Sequence, residues 1–312
     1  MRIIFFGTPE PAVAHLRALH GAGHEIAAVV TQPDRPAGRG RKPRPSPVRE
    51  AAQELGLTVL TPESAGEAQF IARVRGMAPA LGVVVAYGQI LPRELLEIPS
   101  QGFINVHYSL LPQLRGAAPV YGALRQGLQT TGVTVQFMAE ELDAGDVILQ
   151  REVPIHEEDN QGTLTERLTV VGVELLLQAL ALLEAGEAPR LAQDDSAATY
   201  ARRVTADQCR IDWTASPESL RNLVRACTPW PGAWCLLRGK RVKVTQVRVV
   251  QDFLSREGTP GEVVELPDNG GPLVAAGEGA VELVRLQPAG SRSMSGEEFL
   301  RGARLAIGDR FE

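Results

Sequence analysis

Phe103-Ile-Asn105-Val-His107-Tyr-Ser-Leu-Leu-Pro-Gln-Leu-Arg115-Gly116 is the stretch whose reading decides the fold. Phe103 to Val106 reads as a buried strand, as does Val83-Val-Val-Ala-Tyr87-Gly88, and continuous apolar runs of this kind suit parallel strands covered on both faces. His107 falls where its strand ends, and in open α/β sheets ligands gather outside the carboxyl ends of the strands. An amide and an imidazole two residues apart at that end can hold an oxyanion and move a proton. Leu142-Asp143-Ala-Gly145-Asp146 supplies a carboxylate to complete the set. Asn105, His107 and Asp143 are therefore the candidate catalytic triplet, suited to acyl transfer onto an amine. Each piece alone has a plainer explanation: a satisfied polar histidine at a strand end, and a common Asp-Ala-Gly turn.

Outward from this stretch, strand-like runs at Arg2 to Phe6, Glu25 to Val30, Leu81 to Ala86, Phe103 to His107 and Thr131 to Met138 alternate with helical spacing. The helical segments are Ala12 to Leu19, Val48 to Leu55, Gln69 to Arg75 and Ala117 to Gln126. That alternation predicts a doubly wound, mostly parallel α/β sheet of Rossmann-like type. Thr163-Leu-Thr-Glu166 has capping-box spacing and opens a long apolar helix that should stop near Gly186, after which Glu187 to Ser196 turns polar. Beyond Asp207 the pattern changes. Ser216-Pro-Glu218 starts a short helix to Ala226; strands follow at Trp234 to Arg238, Arg241 to Val250, Gly261 to Leu266, Leu273 to Ala276 and Val281 to Leu286. Five short strands predict a small OB-like β-barrel, and Ser295-Gly-Glu-Glu298 caps a last helix to about Leu305. A chain of 312 residues exceeds the usual growth of one core. The expected division is 1–189 for the catalytic domain, 190–206 for a linker and 207–312 for the barrel.

Three cysteines, Cys209, Cys227 and Cys235, form no CxxC pair and argue against a disulfide framework or a metal site. The apolar start Met1 to Phe6 is broken at once by Gly7-Thr-Pro9, and no later run is expected to reach the length of a membrane span, so the reading is a cytoplasmic protein. The formal net charge of −5 disfavours nucleic acid as a whole-chain property, yet the charge is unevenly placed. Between Gln32 and Arg49 stand Arg35, Arg39, Arg41, Lys42, Arg44 and Arg49 against Asp34 alone, among five prolines and two glycines. No helix or strand is expected to absorb that composition; it reads as a long projecting loop, suited to phosphates or simply solvated. A second basic segment holds Arg210, Arg221, Arg225, Arg238, Lys240, Arg241, Lys243 and Arg248 against Asp212 and Glu218. Trp213, Trp230 and Trp234 interleave with it, and the reading favours core over base stacking for the three rings.

The chain resembles the methionyl-tRNA formyltransferase family over nearly its whole length. The resemblance is carried by Phe6-Gly-Thr-Pro9, Thr31-Gln-Pro-Asp-Arg-Pro-Ala-Gly-Arg-Gly40, Pro45-Ser-Pro-Val48, Val84-Val-Ala-Tyr-Gly88, Asn105-Val-His107, Ser109-Leu-Leu-Pro112, Arg115-Gly-Ala-Ala-Pro119 and Leu142-Asp-Ala-Gly-Asp146. Arg210-Ile-Asp-Trp213, Pro229-Trp-Pro231 and Leu286-Gln-Pro-Ala-Gly290 extend it through the second half. It implies that a formyl group passes from 10-formyltetrahydrofolate to the α-amine of methionine on initiator tRNA, without a metal, in a monomeric protein. It further implies folate contacts at Val84, Ala86, Tyr87, Gly88, Ile90, Leu91, Ser109, Leu110, Leu111 and Pro112, and tRNA contacts at Arg35, Arg39, Arg41, Lys42 and Arg44 and at Arg238, Lys240, Arg241 and Lys243. Tyr108 and Leu114 depart from the family pattern, and Tyr108 is expected to narrow the folate cleft or shift its loop; Ala206 stands where a basic residue is expected. Two other readings share parts of this sequence. A formyltransferase for a sugar nucleotide or other small amine would need the triplet but not the basic segments, and a non-catalytic RNA-binding protein would need the cations but not the triplet.

Overall fold

A computed structural model of the chain describes residues 1–37, 42–250 and 258–312. In chain order the elements are β1 (Arg2–Gly7), α1 (Glu10–Gly21), β2 (Glu25–Val30), β3 (Arg35–Ala37), β4 (Lys42–Arg44), α2 (Pro47–Glu54), β5 (Val59–Leu60), α3 (Ala68–Met77), β6 (Leu81–Val85), α4 (Arg93–Leu96), β7 (Phe103–His107), α5 (Pro119–Arg125), β8 (Thr130–Phe137) and β9 (Val147–Pro154). They are followed by α6 (Gln161–Ala185), α7 (Pro217–Cys227), β10 (Ala233–Leu237), β11 (Lys240–Val250), β12 (Val263–Glu265), β13 (Leu273–Ala276), β14 (Gly279–Pro288), β15 (Met294–Ser295) and α8 (Gly296–Ala303). Two units result. The first comprises Met1–Pro119, Thr130–Pro154 and Thr165–Arg202, and the second Val120–Gln129, Ile155–Leu164 and Arg203–Glu312.

The first unit is built on a seven-stranded sheet in the order β5-β2-β1-β6-β7-β8-β9. From β5 to β7 every pairing is parallel, and only β8 and β9 run antiparallel. Ile3 to Phe6 and Leu81 to Val85 are buried along their whole length, as strands covered on both faces must be. The chain order reverses beside β1, so the crevice outside the carboxyl ends of β1, β6 and β7 is where such a sheet binds its ligands. In the β7–β8 register Asn105 opposes Gln136 and His107 opposes Thr134. Period-two alternation puts Asn105 and His107 on one face of the sheet and Val106 and Tyr108 on the other. Tyr108 therefore packs away from the triplet. Its ring centroid lies 6.3 Å from that of His15 in α1, and its hydroxyl shares a hydrogen bond of 3.0 Å with Thr169 in α6, so it does not narrow the triplet's side of the strand.

Three expectations for this unit change. α6 is capped by Asn160, whose Oδ1 accepts from the amides of Gly162 at 2.8 Å and Thr163 at 3.2 Å; Thr163 sits inside the first turn rather than ahead of it. At 25 residues, α6 is also long and apolar enough by composition to cross a membrane, contrary to the sequence reading, although Leu168, Leu175, Leu176 and Leu180 are spent on the protein's own core. The third correction concerns the Pro-rich basic segment. It forms a short hairpin, β3 with β4, in the register Arg35–Arg44, Pro36–Pro43, Ala37–Lys42, and then enters α2 with Ser46 as cap. Because proline lacks an N–H, the two prolines can share a rung only at the position that needs no ladder bond, leaving the flanking pairs to hold the strands. Arg39 and Arg41 lie outside the described residues.

His15 is fully buried on α1, and its Nδ1 donates to the Pro11 carbonyl at 2.9 Å while Nε2 has no partner. Burial pushes the ring's pKa down from 6.5 to about 4, against the raising effect of the Pro11 bond. Between those values the unfolded chain binds a proton that the folded one refuses, so stability rises with pH across this window and is lost as pH falls through it. The full span corresponds to about 3 kcal/mol. In His15→Leu the melting temperature of the first unit should lose part of its fall between pH 7 and pH 4.5; an unchanged fall would assign that acid sensitivity elsewhere.

The second unit centres on a six-stranded antiparallel sheet in the order β10-β11-β14-β13-β12, with β15 paired to β14. Its two outer strands are joined through the carboxyl terminus: Leu236 and Glu312 exchange backbone bonds of 2.7 and 2.8 Å, and Phe311 donates to the Gly261 carbonyl at 2.8 Å. Residues 309–312 thereby close the OB-like barrel that five strands alone would leave open. Leu220, Leu223, Val224 and Cys227 of α7 recur at helical spacing and are buried, with Ser216 as N-cap. In α8 the Ser295–Glu298 capping box forms as its spacing predicts. Trp213 is core, Trp234 is half-buried against it, and Trp230 is 70% exposed, which corrects the expectation for that ring.

Candidate active site

The triplet converges. Asp143 Oδ2 lies 3.6 Å from His107 Nδ1, and Asp143 Oδ1 accepts from Asn105 Nδ2 at 3.4 Å and from Gln136 Nε2 at 3.2 Å. The Gly116 amide donates to Oδ2 at 2.7 Å, the shortest contact the carboxylate makes. His107 is 6% exposed and the Asp143 side chain 11%, so the charge sits where water screens it poorly. His107 Nε2 faces the Leu114 carbonyl at 3.0 Å. A carbonyl only accepts, so Nε2 carries the hydrogen and Nδ1 is the nitrogen turned to the carboxylate.

Backbone bends aim these groups. Asp143 sits at φ +53° and Leu114 at φ +58°, the left-handed region that side chains other than glycine adopt at a cost of roughly 1–3 kcal/mol each. Gly116 has φ +114°, and a Cβ there would lie 2.7 Å from the Ala201 carbonyl oxygen. Only glycine fits. Around the Asp143 turn a second set of amides closes in. Gln193 Nε2 donates to Gln136 Oε1 at 3.1 Å, to the Asp143 carbonyl at 2.9 Å and to the Gly145 carbonyl at 2.7 Å, while its Oε1 accepts from Arg115 Nη2 at 2.8 Å and Nε at 3.1 Å. Sequence reasoning missed Gln136 and Gln193. The first is findable only through the β7–β8 register, and the second carries no motif.

With this geometry in place, the comparisons with known proteins decide the family. Residues 1–180 match the Formyl transferase family and residues 203–304 the Formyl transferase C-terminal domain. The chain is 43% identical over 309 residues to methionyl-tRNA formyltransferase of Moorella thermoacetica, covering 99% of this chain and 98% of that one. It is 43% identical over 308 residues to the Bacillus subtilis enzyme of the same name, covering 99% and 96%. The chain belongs to the methionyl-tRNA formyltransferase family.

Among solved structures, HypX from Aquifex aeolicus in complex with tetrahydrofolic acid superposes with a TM-score of 0.66 at 21% identity, over 97% of this chain and 48% of that one. WlaRD, a sugar 3N-formyl transferase, gives 0.66 at 16% identity over 94% and 99%. At those identities the likeness speaks to the fold. Among the described residues of this methionyl-tRNA formyltransferase family member, no group of His, Cys, Asp or Glu could hold a metal ion.

The remaining candidate residues fall into different settings. After β6 the chain turns through Ala86 at φ +48° and Gly88 at φ +90°; Ala86, Gly88 and Ile90 face solvent, Ile90 at 81% exposure, while Val84, Tyr87 and Leu91 are buried in the sheet's core. The Gly88 and Ile90 amides have no backbone partner among the described residues. Tyr87 accepts through its carbonyl from Thr8 Oγ1 at 2.9 Å, and burial followed by the nearby Glu67 pushes its hydroxyl up to about 12. Ser109 and Leu111 are buried and half-buried Leu110 and Pro112 lie beside them; Thr134 Oγ1 bonds the Ser109 carbonyl at 2.6 Å and accepts from Leu111 N at 3.2 Å.

Of the cations assigned to tRNA, Arg35 and Arg44 are exposed and stand opposite each other across the hairpin. Lys240 is exposed at the head of β11. Arg241 stacks over Trp234 at 4.2 Å, and Lys243 Nζ donates to the Pro231 carbonyl at 3.0 Å. Arg238 bonds the Ala303 and Arg304 carbonyls, each at 3.1 Å, and Asp309 at 2.8 Å, fastening the end of α8 and the closing tail, while its side chain stays 54% exposed.

Proposed function

We propose that this protein transfers the formyl group of 10-formyltetrahydrofolate to the α-amine of methionine esterified to initiator tRNA. The observation that carries the reading is the convergence of Asn105, His107 and Asp143 at the carboxyl end of β7 in a chain of this family. Asn105 offers its amide to the oxygen that gains charge as the formyl carbon becomes tetrahedral; its 3.4 Å bond to Asp143 is long and readily exchanged. His107 Nδ1 takes the proton shed by the attacking amine. The imidazolium so formed lies between the Asp143 carboxylate and the Leu114 carbonyl, which hold it in place until it returns the proton to the folate nitrogen as the bond from that nitrogen to the formyl carbon breaks and tetrahydrofolate leaves. Val84 to Leu91 and Ser109 to Pro112 supply the folate cleft, with backbone groups at Gly88 and Ile90 for the pteridine.

For tRNA, Arg35, Arg39, Arg41, Lys42 and Arg44 meet phosphates near the acceptor end, and Arg238, Lys240, Arg241 and Lys243 hold a helical face by its backbone. Like charges directly opposed across two strands repel, so the Arg35–Arg44 rung is best relieved by an anion between them. Arg35→Ala with Arg44→Ala should weaken tRNA binding and flatten its salt dependence by about one unit of slope per lost contact, with folate affinity unchanged. An unaltered slope in binding titrations would make the hairpin solvated surface. In this reading residues 1–189 carry the chemistry, 190–206 connect and 207–312 grip tRNA, in a cytoplasmic monomer.

Transfer to a sugar-nucleotide amine would use the same triplet but leaves both basic segments without purpose. The deciding experiment incubates the protein with 10-formyltetrahydrofolate and methionine-charged initiator or elongator tRNA. Formylmethionine on the initiator alone is expected, and none on either would overturn the assignment.

A further inference from the structure

We propose that the segment from Leu191 to Ala201 is a working part of the catalytic site, and that Gln193 is the positioning residue for Asp143. The inference rests on the catalytic reading above and extends it to residues otherwise serving only as connection. The segment meets both loops that bear the triplet's partners. Leu191 exchanges backbone bonds with Val147 at the foot of the Asp143 turn, at 2.8 and 3.0 Å. Thr199 accepts at its carbonyl from the Arg115 amide at 2.8 Å and at its hydroxyl from the Leu114 amide at 2.9 Å, and Ala201 donates to the Arg115 carbonyl at 2.8 Å. Leu114 and Gly116 are the residues whose backbone groups hold His107 and Asp143.

Gln193 joins the two loops through one side chain. Its amide nitrogen is ringed by three oxygens and its amide oxygen by two guanidinium nitrogens, so neither end can turn without losing every bond. Arg115, 2% exposed, is held in turn by Asp195 at 2.7 Å. Two of the three oxygens are the carbonyls of Asp143 and Gly145, in a turn whose first residue has φ +53°. A backbone so bent relaxes unless its surroundings fix it. Gln193 supplies that fixing from a distant part of the chain, and the third oxygen, on Gln136, orients an amide that itself bonds Asp143.

Gln193→Glu tests this cleanly. The glutamate keeps an oxygen for Arg115 but has no hydrogen to give, and its charge faces two carbonyls. With 10-formyltetrahydrofolate and methionine-charged initiator tRNA, kcat should fall on the order of tenfold or more, as small misplacements of reacting groups do. Both KM values should stay within about twofold, and melting temperature should change little. Gln193→Leu should behave alike, and Gln193→Glu added to Asp143→Asn should lower kcat no further, because the residue acts through Asp143. An equal additional loss in the Asp143→Asn background, an undiminished kcat, or a loss matched by the fraction of unfolded protein would overturn the proposal. An Asp143→Asn enzyme of full activity would instead sink the catalytic reading itself.

Discussion

Asp143→Asn should lower kcat for formyl transfer by roughly a thousandfold while the protein keeps its fold and its affinity for folate. The expectation follows from who faces the carboxylate. Asn105 Nδ2, Gln136 Nε2 and the Gly116 N–H all donate to it, and His107 Nδ1 stands 3.6 Å away. A carboxylate is acceptor-only and satisfies all three donors; an amide must turn its own NH2 toward at least one of them. The substitution thus removes the negative charge that steadies the imidazolium and sets donor against donor in a site shielded from water. Steady-state kinetics alongside a folate titration checks it. A loss under tenfold would mean that His107 works without its carboxylate.

Asn105→Ala should cost about 3 kcal/mol of barrier, or roughly a hundredfold in kcat, because one oxyanion donor disappears from a preorganised site. The effect should fall on kcat rather than on the KM for either substrate, since the oxygen it serves carries extra charge only in the transition state. Asn105 also gives its 3.4 Å bond to Asp143, yet Gln136 and Gly116 still hold that carboxylate when it is gone. Near-normal turnover in Asn105→Ala would assign the oxyanion to another donor.

The sequence revealed what periodicity and end signals control. Apolar runs located β1, β2, β6, β7 and β8 to within a residue or so, and Ser216 and Ser295 announced α7 and α8. The triplet was legible because strand ends and Asp-Ala-Gly turns leave local marks. Gln136 and Gln193 left none: a glutamine in a strand or a connector looks like any other until register and tertiary packing bring it to a carboxylate. The β3–β4 hairpin was hidden by its prolines, which oppose a strand everywhere except where two of them share a rung. Trp230 shows the same limit from the other side. Residue type suggested core for it, and the chain uses it as exposed surface.

The bend at Leu114 bears on attempts to make the protein hardier. Glycine at that position would relieve the backbone, yet the leucine side chain is 2% exposed, and deleting such a side chain commonly costs 2–5 kcal/mol in the cavity left behind. Searches guided by melting temperature alone will thus find no easy gain here. The interior serves as ballast for the loop that faces the chemistry, so thermal robustness and catalytic alignment have to be improved together.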